Sequence, residues 1–398
     1  PAGTQVPSGV VDAVSRCLVE TNANVQGGFA TSMAADAIVS GVHEAMADML
    51  NAASPDEIVF GQNMTTLTLY MSRSIGRTLR KGDDIVLSRM DHDANVGPWL
   101  LLARDLELEV RWLPFNTDTY EFDPDALDNV LSDRTRLVCV GAASNLIGTI
   151  NDVKSMCAKA RAAGALTFID AVQAVPHIRI DVQDIGCDFL ACSAYKFFGP
   201  HQGILWGRHE LLSSLEPYKV RPAPDTVPGC FETGTQSHEG MAGTTAAVDY
   251  FAWVGETMAG DHAKAPDDSR NRTRAVHAAL DCLFEYETAL AEHLIGGLQE
   301  LPGVRVRGIT DNGAMHRRVP TVAFTVEGAA PDVIAAELAA RNIFVWSGHN
   351  YAVEAARHMG IYDAGGAVRV GPVHYNSPAE IDTLLNALED IIPRARAA

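Results

Sequence analysis

Short, unbroken apolar runs alternate with helical segments over roughly the first 250 residues of the chain. A strand made from such a run has no polar face, so both of its faces must be covered, as in a parallel sheet between layers of helices. The predicted strands are Glu57–Phe60, Ile85–Leu87, Glu109–Leu113, Leu137–Gly141, Leu166–Ile169 and Phe189–Cys192. The predicted helices are Val11–Glu20, Ala34–Leu50, Thr66–Thr78 and Val153–Ala163. This order predicts an α/β fold whose large domain has a mainly parallel sheet, with ligands at the carboxyl ends of its strands.

A polar, Asp-rich segment at Gly255–Asn271, which contains Pro266, interrupts this alternation and is a plausible domain boundary. A long helical pattern follows at Arg272–Glu300. The predicted elements beyond it are the strands Val304–Arg307, Val322–Thr325, Phe344–Trp346 and Ala367–Gly371 and the helices Pro331–Arg341 and Pro378–Ile392. We therefore expect a large domain over residues 12–255 and a smaller α+β C-terminal domain over residues 272–398, joined by residues 1–11.

The overall charge of −19 disfavours nucleic acid and anionic membrane surfaces as partners. No apolar stretch is long enough for a membrane span, and no signal peptide is visible. The seven cysteines form no C-x-x-C pair and several lie in apolar runs, which indicates reduced thiols and a cytoplasmic protein. The chain begins at Pro1 rather than Met, so we expect that its true N-terminus is missing.

Two residues at the ends of predicted strands suggest a cofactor. Asp170 directly follows a buried run, where a carboxylate is unfavourable unless a cation meets it. The protonated ring nitrogen of pyridoxal phosphate (PLP) is such a cation, although an Asp at this place often only caps the next helix. Lys196 lies among aromatic residues after the next predicted strand, where desolvation would lower its pKa and favour Schiff-base formation. The alternative is a lysine that extends from the strand end into solvent.

A phosphate site is predicted where a strand joins a helix at Phe60–Leu67. Thr65 and Thr66 place two hydroxyls and free N–H groups at the helix start, although they are equally well explained as simple helix caps. Ser193, three residues before Lys196, is a second candidate for a phosphate-binding hydroxyl.

Three further side chains are candidates for ring or substrate contacts. His92 follows a predicted strand and is placed to stack on a flat cofactor, or else is a solvated loop histidine. Asn145 follows the strand Leu137–Gly141 and either contacts a substrate carboxylate or makes a turn. Arg369 lies inside an apolar strand, where its fork suits a substrate α-carboxylate or a structural ion pair.

Other cofactors find no support in the sequence. It contains no G-x-G and therefore neither a dinucleotide fingerprint nor a Walker loop. It also has no H-E-x-x-H motif and no close Cys/His cluster, so no metal site is predicted.

These segments have the order and spacing of the class V aminotransferase/cysteine desulfurase family, which the chain resembles over nearly its whole length. The matching segments are Phe60–Leu67, Met90–Asn95, Ser144–Gly148, Asp170–Gln173, Ser193–Lys196 and Phe231–Thr235. The resemblance implies a fold-type-I PLP-dependent transferase that forms a homodimer with two active sites at the subunit interface.

The resemblance also implies a role for each candidate residue. Thr65, Thr66 and Ser193 would hold the phosphate, and Thr235 would reach the phosphate of the neighbouring subunit. His92 would stack on the ring, Asp170 would pair with its nitrogen and Gln173 would bond its oxygen. Lys196 would form the Schiff base, while Asn145 and Arg369 would take the substrate carboxylate. Pro1–Gln5 resembles the family's N-terminal turn on the substrate side, which suggests that a preceding strand has been lost.

Two departures from the family leave the reaction open. Tyr351 stands where desulfurases carry a nucleophilic Cys, and a phenol cannot take up sulfur as a persulfide. Trp346 stands where the family often has a second substrate-binding Arg. We therefore expect a transferase or desulfurase-like enzyme that acts on a small amino acid, without a sulfur-accepting partner. The alternatives are a C–S (β-elimination) lyase and a dimeric PLP-binding protein with little turnover.

Overall fold

A seven-stranded sheet forms the centre of the computed structural model, which describes residues 3–264 and 270–397. Its strands are β1 (Ile58–Gly61), β2 (Asp84–Ser88), β3 (Glu109–Leu113), β4 (Thr135–Gly141), β5 (Leu166–Asp170), β6 (Phe189–Ser193) and β7 (Gly203–Gly207). Their spatial order is β1-β7-β6-β5-β4-β2-β3. The pairs among β3, β2, β4, β5 and β6 are parallel, whereas β7 runs antiparallel to both of its neighbours. The sheet is therefore mainly parallel, as predicted.

Helices surround this sheet and a second, smaller one. They are α1 (Ser8–Glu20), α2 (Ala30–Met49), α3 (Met64–Gly76), α4 (Gly97–Leu106), α5 (Val153–Ala162), α6 (Val182–Ile185), α7 (His209–Ser214), α8 (His238–Thr257), α9 (Asn271–Glu300), α10 (Pro331–Ala339), α11 (Val353–His358) and α12 (Pro378–Ala397). Several of these helices have a side-chain cap at the N-terminus. Asp152 accepts a hydrogen bond from Ser155 N at the start of α5, and Ser237 accepts one from Gly240 N at the start of α8.

Both faces of the large sheet are buried except at its edge strand β3, which explains the unbroken apolar runs of the inner strands. Val138 and Val140 of β4 pack in one cluster with side chains of α2 and α8. Leu137 and Cys139 of the same strand point the other way, into a cluster with side chains of α3 and α4. Alternate residues of a strand thus supply two different core layers.

The smaller sheet is antiparallel and has the order β10-β11-β9-β8. Its strands are β8 (Val304–Arg307), β9 (Val322–Val326), β10 (Trp346–Gly348) and β11 (Ala367–Val370). The third of these was wrongly placed at Phe344–Trp346, because only Trp346–Gly348 pair with β11 and Phe344 is exposed.

Strand β7 was not predicted from the sequence. Glycines bound its apolar run at Gly203 and Gly207, and only the segment from Ala194 to Gln202 joins it to β6. A parallel connection needs a dozen or more residues, so this short link makes β7 antiparallel.

Helix α9 belongs to both cores. Val276 and Leu280 pack into the core of the large sheet, whereas Leu290 and Leu294 pack into that of the small sheet. The sequence-based domain limits stay a prediction, and Pro266 within the expected boundary lies outside the described residues. No helix within residues 3–264 and 270–397 is both long and apolar enough to cross a membrane.

Gly203 of β7 offers a test of this packing. A Cβ at this position would overlap the backbone of Asn63, which precedes α3. We expect Gly203→Ala to lower the free energy of unfolding by about 1–3 kcal/mol, measured by urea denaturation, because backbone cannot move aside cheaply. Gly9→Ala is the matched control, since a Cβ there meets nothing within 4 Å and alanine gains up to about 1 kcal/mol in a helix. Equal stability of the two variants would contradict this account.

Candidate active site

An inner pocket lies at the carboxyl ends of the adjacent strands β4, β5 and β6. The strands end at Gly141, Asp170 and Ser193, and all three residues line the pocket. Its other lining residues are Asn63, Met64, Thr65, Asp91, His92, Ala94, Ala143, Asn145, Val172, Gln173, Tyr195 and Lys196. Because parallel strands bring their carboxyl ends to one edge, sequence-distant polar residues meet here.

Lys196 ends a single helical turn that follows β6 and is only 6% exposed. Burial, and then the positive charge of Arg369, lower the pKa of Lys196 to about 7, while Asp170 acts in the opposite direction. The side chain lies close to an aromatic residue, with its Nζ 5.5 Å from the ring centre of Tyr195. A substantial fraction of this amine is therefore neutral, and nucleophilic, near pH 7.

Asp170 is the last residue of β5 and is 7% exposed. Its Oδ1 accepts a hydrogen bond from Val172 N at 2.9 Å. Burial raises the pKa of Asp170 to about 6, against the opposing effects of this hydrogen bond and of Lys196. A cation placed beside this carboxylate would relieve the cost of its burial.

His92 lies at the start of a short turn, Asp93–Asn95, and lines the same pocket. Its Nδ1 accepts a hydrogen bond from Ala94 N at 3.0 Å, which places the proton of the neutral ring on Nε2. Burial, followed by the charges of Lys196 and Arg369, lowers the pKa of His92 to about 4. The imidazole is therefore neutral at pH 7, with a flat face suited to stacking.

The start of α3, where we expect phosphate to bind, differs from the prediction in its capping residue. Asn63, not a threonine, caps α3, and its Oδ1 accepts from both the N–H and the hydroxyl of Thr66 at 2.9 Å. Thr66 does not line the pocket, whereas Thr65 does. Ser193 lies close to the same helix start, since its Oγ accepts from Met64 N at 3.2 Å. The asparagine before the helical pattern was the sequence signal that we missed.

An outer cleft adjoins the pocket and shares Asn63, Thr65, His92, Ala94, Asn145, Tyr195 and Lys196 with it. Arg369 lines this cleft rather than the inner pocket, and its Nη1 donates to the backbone oxygen of Asn145 at 2.8 Å. Burial lowers the pKa of Arg369 to about 10, so it remains a cation at pH 7. No carboxylate in the described part of the chain forms an ion pair with Arg369, and a structural ion pair therefore does not explain its burial.

Two buried amide oxygens beside these groups lack hydrogen-bond partners within residues 3–264 and 270–397. They belong to Asn145 and Gln173, both of which line the inner pocket. The Asn145 Nδ2 donates to the backbone oxygen of Asn350 at 2.7 Å, and the Gln173 Nε2 donates to the Thr321 hydroxyl at 2.9 Å. Unpaired buried polar atoms are costly, and their position at one cavity indicates a polar ligand.

The loop with Trp346 and Tyr351 forms one wall of the outer cleft. Tyr351 is 67% exposed, its ring stacks on His92 at a centroid distance of 5.4 Å, and its backbone oxygen accepts from Asp93 N at 2.7 Å. All seven cysteines lie in the described part of the chain, and none of them lines the pocket or the cleft.

Thr235 lies away from this site. It is exposed and lines a separate hollow together with His43, Glu232 and Gln236. Within one chain the structure therefore does not bring Thr235 to the pocket that holds Lys196. Thr4, from the expected N-terminal turn, does reach the site's edge, where its hydroxyl contacts the backbone oxygen of Tyr195 at 3.3 Å. Pro1 and Ala2 of that turn lie outside the described residues.

Comparison with known proteins places the site in context. The family described as Aminotransferase class-V matches residues 1–269 and 277–384. A probable cysteine desulfurase of Streptomyces coelicolor is 30% identical, over 98% of this chain and 90% of that protein. The aminotransferase-like protein FGM3 of Gibberella zeae is 32% identical, over 95% of this chain and 89% of that protein.

Solved structures agree with the sequence matches. The apo structure of a cysteine desulfurase from Thermococcus onnurineus has a TM-score of 0.87 and 26% identity, covering 99% of this chain and 93% of that one. The cysteine desulfurase CsdA of Escherichia coli has a TM-score of 0.83 and 25% identity, covering 99% and 94%. They confirm the fold-type-I architecture expected from the sequence. The chain belongs to the aminotransferase class-V family.

Proposed function

We propose that the chain is a PLP-dependent enzyme that acts on a small amino acid through Lys196. The observation that carries this proposal is the buried amine of Lys196 in one pocket with the buried carboxylate of Asp170. Burial lowers the pKa of this amine to about 7. Bound PLP would supply an electron sink for the charge that develops at the substrate Cα.

The polar groups of the pocket suit the phosphate, the ring nitrogen and the ring oxygen of PLP. The start of α3, Thr65 and Ser193 offer N–H and hydroxyl groups to a phosphate. Asp170 fits a protonated ring nitrogen, because that cation would offset the cost of burying its carboxylate. One face of the neutral His92 ring stacks on Tyr351, and the other face would stack on the cofactor ring. If the Gln173 amide turns over, the Thr321 hydroxyl donates to Oε1 and Nε2 is free to donate to the ring oxygen.

The substrate carboxylate would bind at Arg369, and Asn145 would contribute only by turning its Nδ2 away from the Asn350 backbone oxygen, because the unpaired Oδ1 is an acceptor. Arg369 is a buried cation at the cleft beside the pocket, which is the arrangement that favours a desolvated carboxylate. The Asn145 amide lies next to it, since Arg369 donates to the Asn145 backbone. Lys196 would hold the cofactor and, as a neutral amine, would take a proton at the substrate Cα, a role that its pKa of about 7 suits.

The outcome of the reaction depends on the loop that carries Tyr351. Its phenol cannot accept sulfur as a thiolate does, and no cysteine of the described residues lines the cleft. We therefore favour a transferase or desulfurase-like reaction that does not store sulfur on this loop. A C–S lyase is the second candidate, supported by the same absence of a thiol, because the leaving group would then depart into solvent.

We also propose a cytoplasmic homodimer in which Thr235 reaches the partner's phosphate. The exposure of Thr235 is consistent with this role, and all seven cysteines are free. The expectation that no sulfur acceptor exists finds no support, because several relatives carry the name cysteine desulfurase.

Covalent capture tests the assignment of Lys196. Borohydride treatment of the PLP-loaded protein should leave a pyridoxyl label on Lys196, located by peptide mass mapping, and Lys196→Ala should lose the label and turnover. Lys81→Ala, at an exposed ion pair with Glu107, is the matched control and should keep both. A label on any other lysine would overturn the assignment. Full labelling without turnover on any amino acid would instead favour a PLP-binding protein.

The pH dependence of cofactor capture tests the electrostatics of the site. Only the neutral amine attacks an aldehyde, so the rate at which apo protein captures PLP should rise with pH through about 7, followed by absorbance. The Arg369 charge lowers the pKa of Lys196 and Asp170 raises it, so Arg369→Gln should move this midpoint to higher pH and Asp170→Asn to lower pH. A midpoint near that of an ordinary lysine, about 10.4, would refute a desolvated amine.

Tyr351 allows a test of the sulfur chemistry. With L-cysteine as substrate, we expect no persulfide on the wild-type protein by mass spectrometry. Any sulfide that is released should be accompanied by equal amounts of pyruvate and ammonia, because β-elimination of cysteine to these three products needs no reductant. Tyr351→Cys should gain a persulfide at residue 351, and Tyr351→Phe is the control without a thiol. A wild-type persulfide on another cysteine would show that this loop does not decide the sulfur chemistry.

A further inference from the structure

Asp91 lines the inner pocket and has no part in the function proposed above. It is 4% exposed, and both of its carboxylate oxygens are hydrogen-bonded. Oδ1 accepts from Gly141 N at the end of β4 at 2.9 Å, and Oδ2 accepts from Asn95 Nδ2 at 2.8 Å. The carboxylate thus ties the end of one central strand to the turn that follows His92.

The direction of these hydrogen bonds is fixed by Trp99. Its indole N–H can only donate, and it contacts Asn95 Oδ1 at 3.3 Å. The amide nitrogen of Asn95 must then face Asp91, so both oxygens of Asp91 serve as acceptors. The hydrogen bonds favour the ionised carboxylate, whereas burial and repulsion from Asp170 oppose it and raise the pKa of Asp91 to about 7.

The clamped turn carries His92. Asn95 N donates to the His92 backbone oxygen at 2.9 Å, and Ala94 N donates to His92 Nδ1 at 3.0 Å. On the other side, the Trp99 ring packs edge-on against Phe168 of β5, at a centroid distance of 5.1 Å. The Asp91–Asn95–Trp99 chain therefore holds the imidazole in register with the strands that end at Gly141 and Asp170.

We propose that Asp91 is a positioning residue whose hydrogen bonds, rather than its charge, hold the plane of His92 against the cofactor ring. This inference rests on the proposed PLP function. It assigns to Asp91 an effect on cofactor affinity and orientation, and no contact with the reacting atoms.

A charge-swapped pair separates hydrogen bonding from charge. Both partners of Asp91, Gly141 N and Asn95 Nδ2, are donors. In Asp91→Asn the new amide nitrogen faces one of these two donors, so one of the two hydrogen bonds is lost. In Asp91→Asn/Asn95→Asp the new amide oxygen at position 91 accepts from Gly141 N, its amide nitrogen donates to the new carboxylate at position 95, and that carboxylate accepts from Trp99. All the hydrogen bonds return, but the charge has moved from position 91 to position 95. Asn95→Asp alone is the matched control, because two carboxylates then face each other.

We expect Asp91→Asn to weaken PLP binding about tenfold, measured by titration of the apo protein, which corresponds to one unpaired buried donor. The visible circular dichroism of the bound cofactor, which reports its orientation, should fall as well. The double variant should restore both to within about twofold of wild type, and Asn95→Asp should be at least as impaired as Asp91→Asn.

The inference fails if the double variant binds PLP as weakly as Asp91→Asn, because the charge beside Asp170 would then be what matters. It also fails if Asp91→Asn binds normally. Thermal melting of each apo variant identifies a general loss of fold. If Asp91→Asn does not fold, the PLP affinity of the double variant relative to wild type still tests whether the hydrogen bonds or the charge matter. Failure of the proposed function looks different, because wild-type protein would then give no pyridoxyl label at Lys196.

Discussion

The free-energy cost of burying the protonated Lys196 amine governs the chemistry of this site. Lys196 is removed from water beside a second buried cation, Arg369, and both effects lower its pKa to about 7. A lysine with its ordinary pKa would be almost entirely protonated at neutral pH and would neither attack an aldehyde nor remove a proton. Asp170 opposes the shift, so the amine is held between two charges of opposite sign. The chemistry that we propose depends on this balance.

The fold provides the balance by bringing two sheets together at one cleft. Asp170 and Lys196 come from adjacent strands of the large sheet, whereas Arg369 comes from β11 of the small sheet. Neither sheet alone has the full set of charges. The Asn145 backbone oxygen, in the segment after β4, accepts the hydrogen bond from Arg369 and so links the two sheets at the cleft.

Much of this arrangement was predictable because the large sheet is buried on both faces. Continuous apolar runs predicted six of its strands. Polar residues that follow these runs predicted four residues of the site, Asp170, Lys196, His92 and Asn145. The rest depended on tertiary contacts. Strand β7 is short and bounded by glycines, β10 is defined by its pairing with β11, and Asn63 rather than a threonine caps α3. No local feature of the sequence predicted the burial of Asp91. Thr235 lies away from the pocket within one chain, so the role proposed for it requires a second subunit.

Helix α9 has a consequence for how the molecule loses its structure. One continuous helix supplies side chains to both cores. If either core unfolds and α9 is lost, the other core therefore loses part of its packing. Heat or denaturant should therefore disrupt the two halves in a single cooperative step. The binding energy of a small ligand at the cleft would then protect residues far away in α12 as much as those beside Lys196.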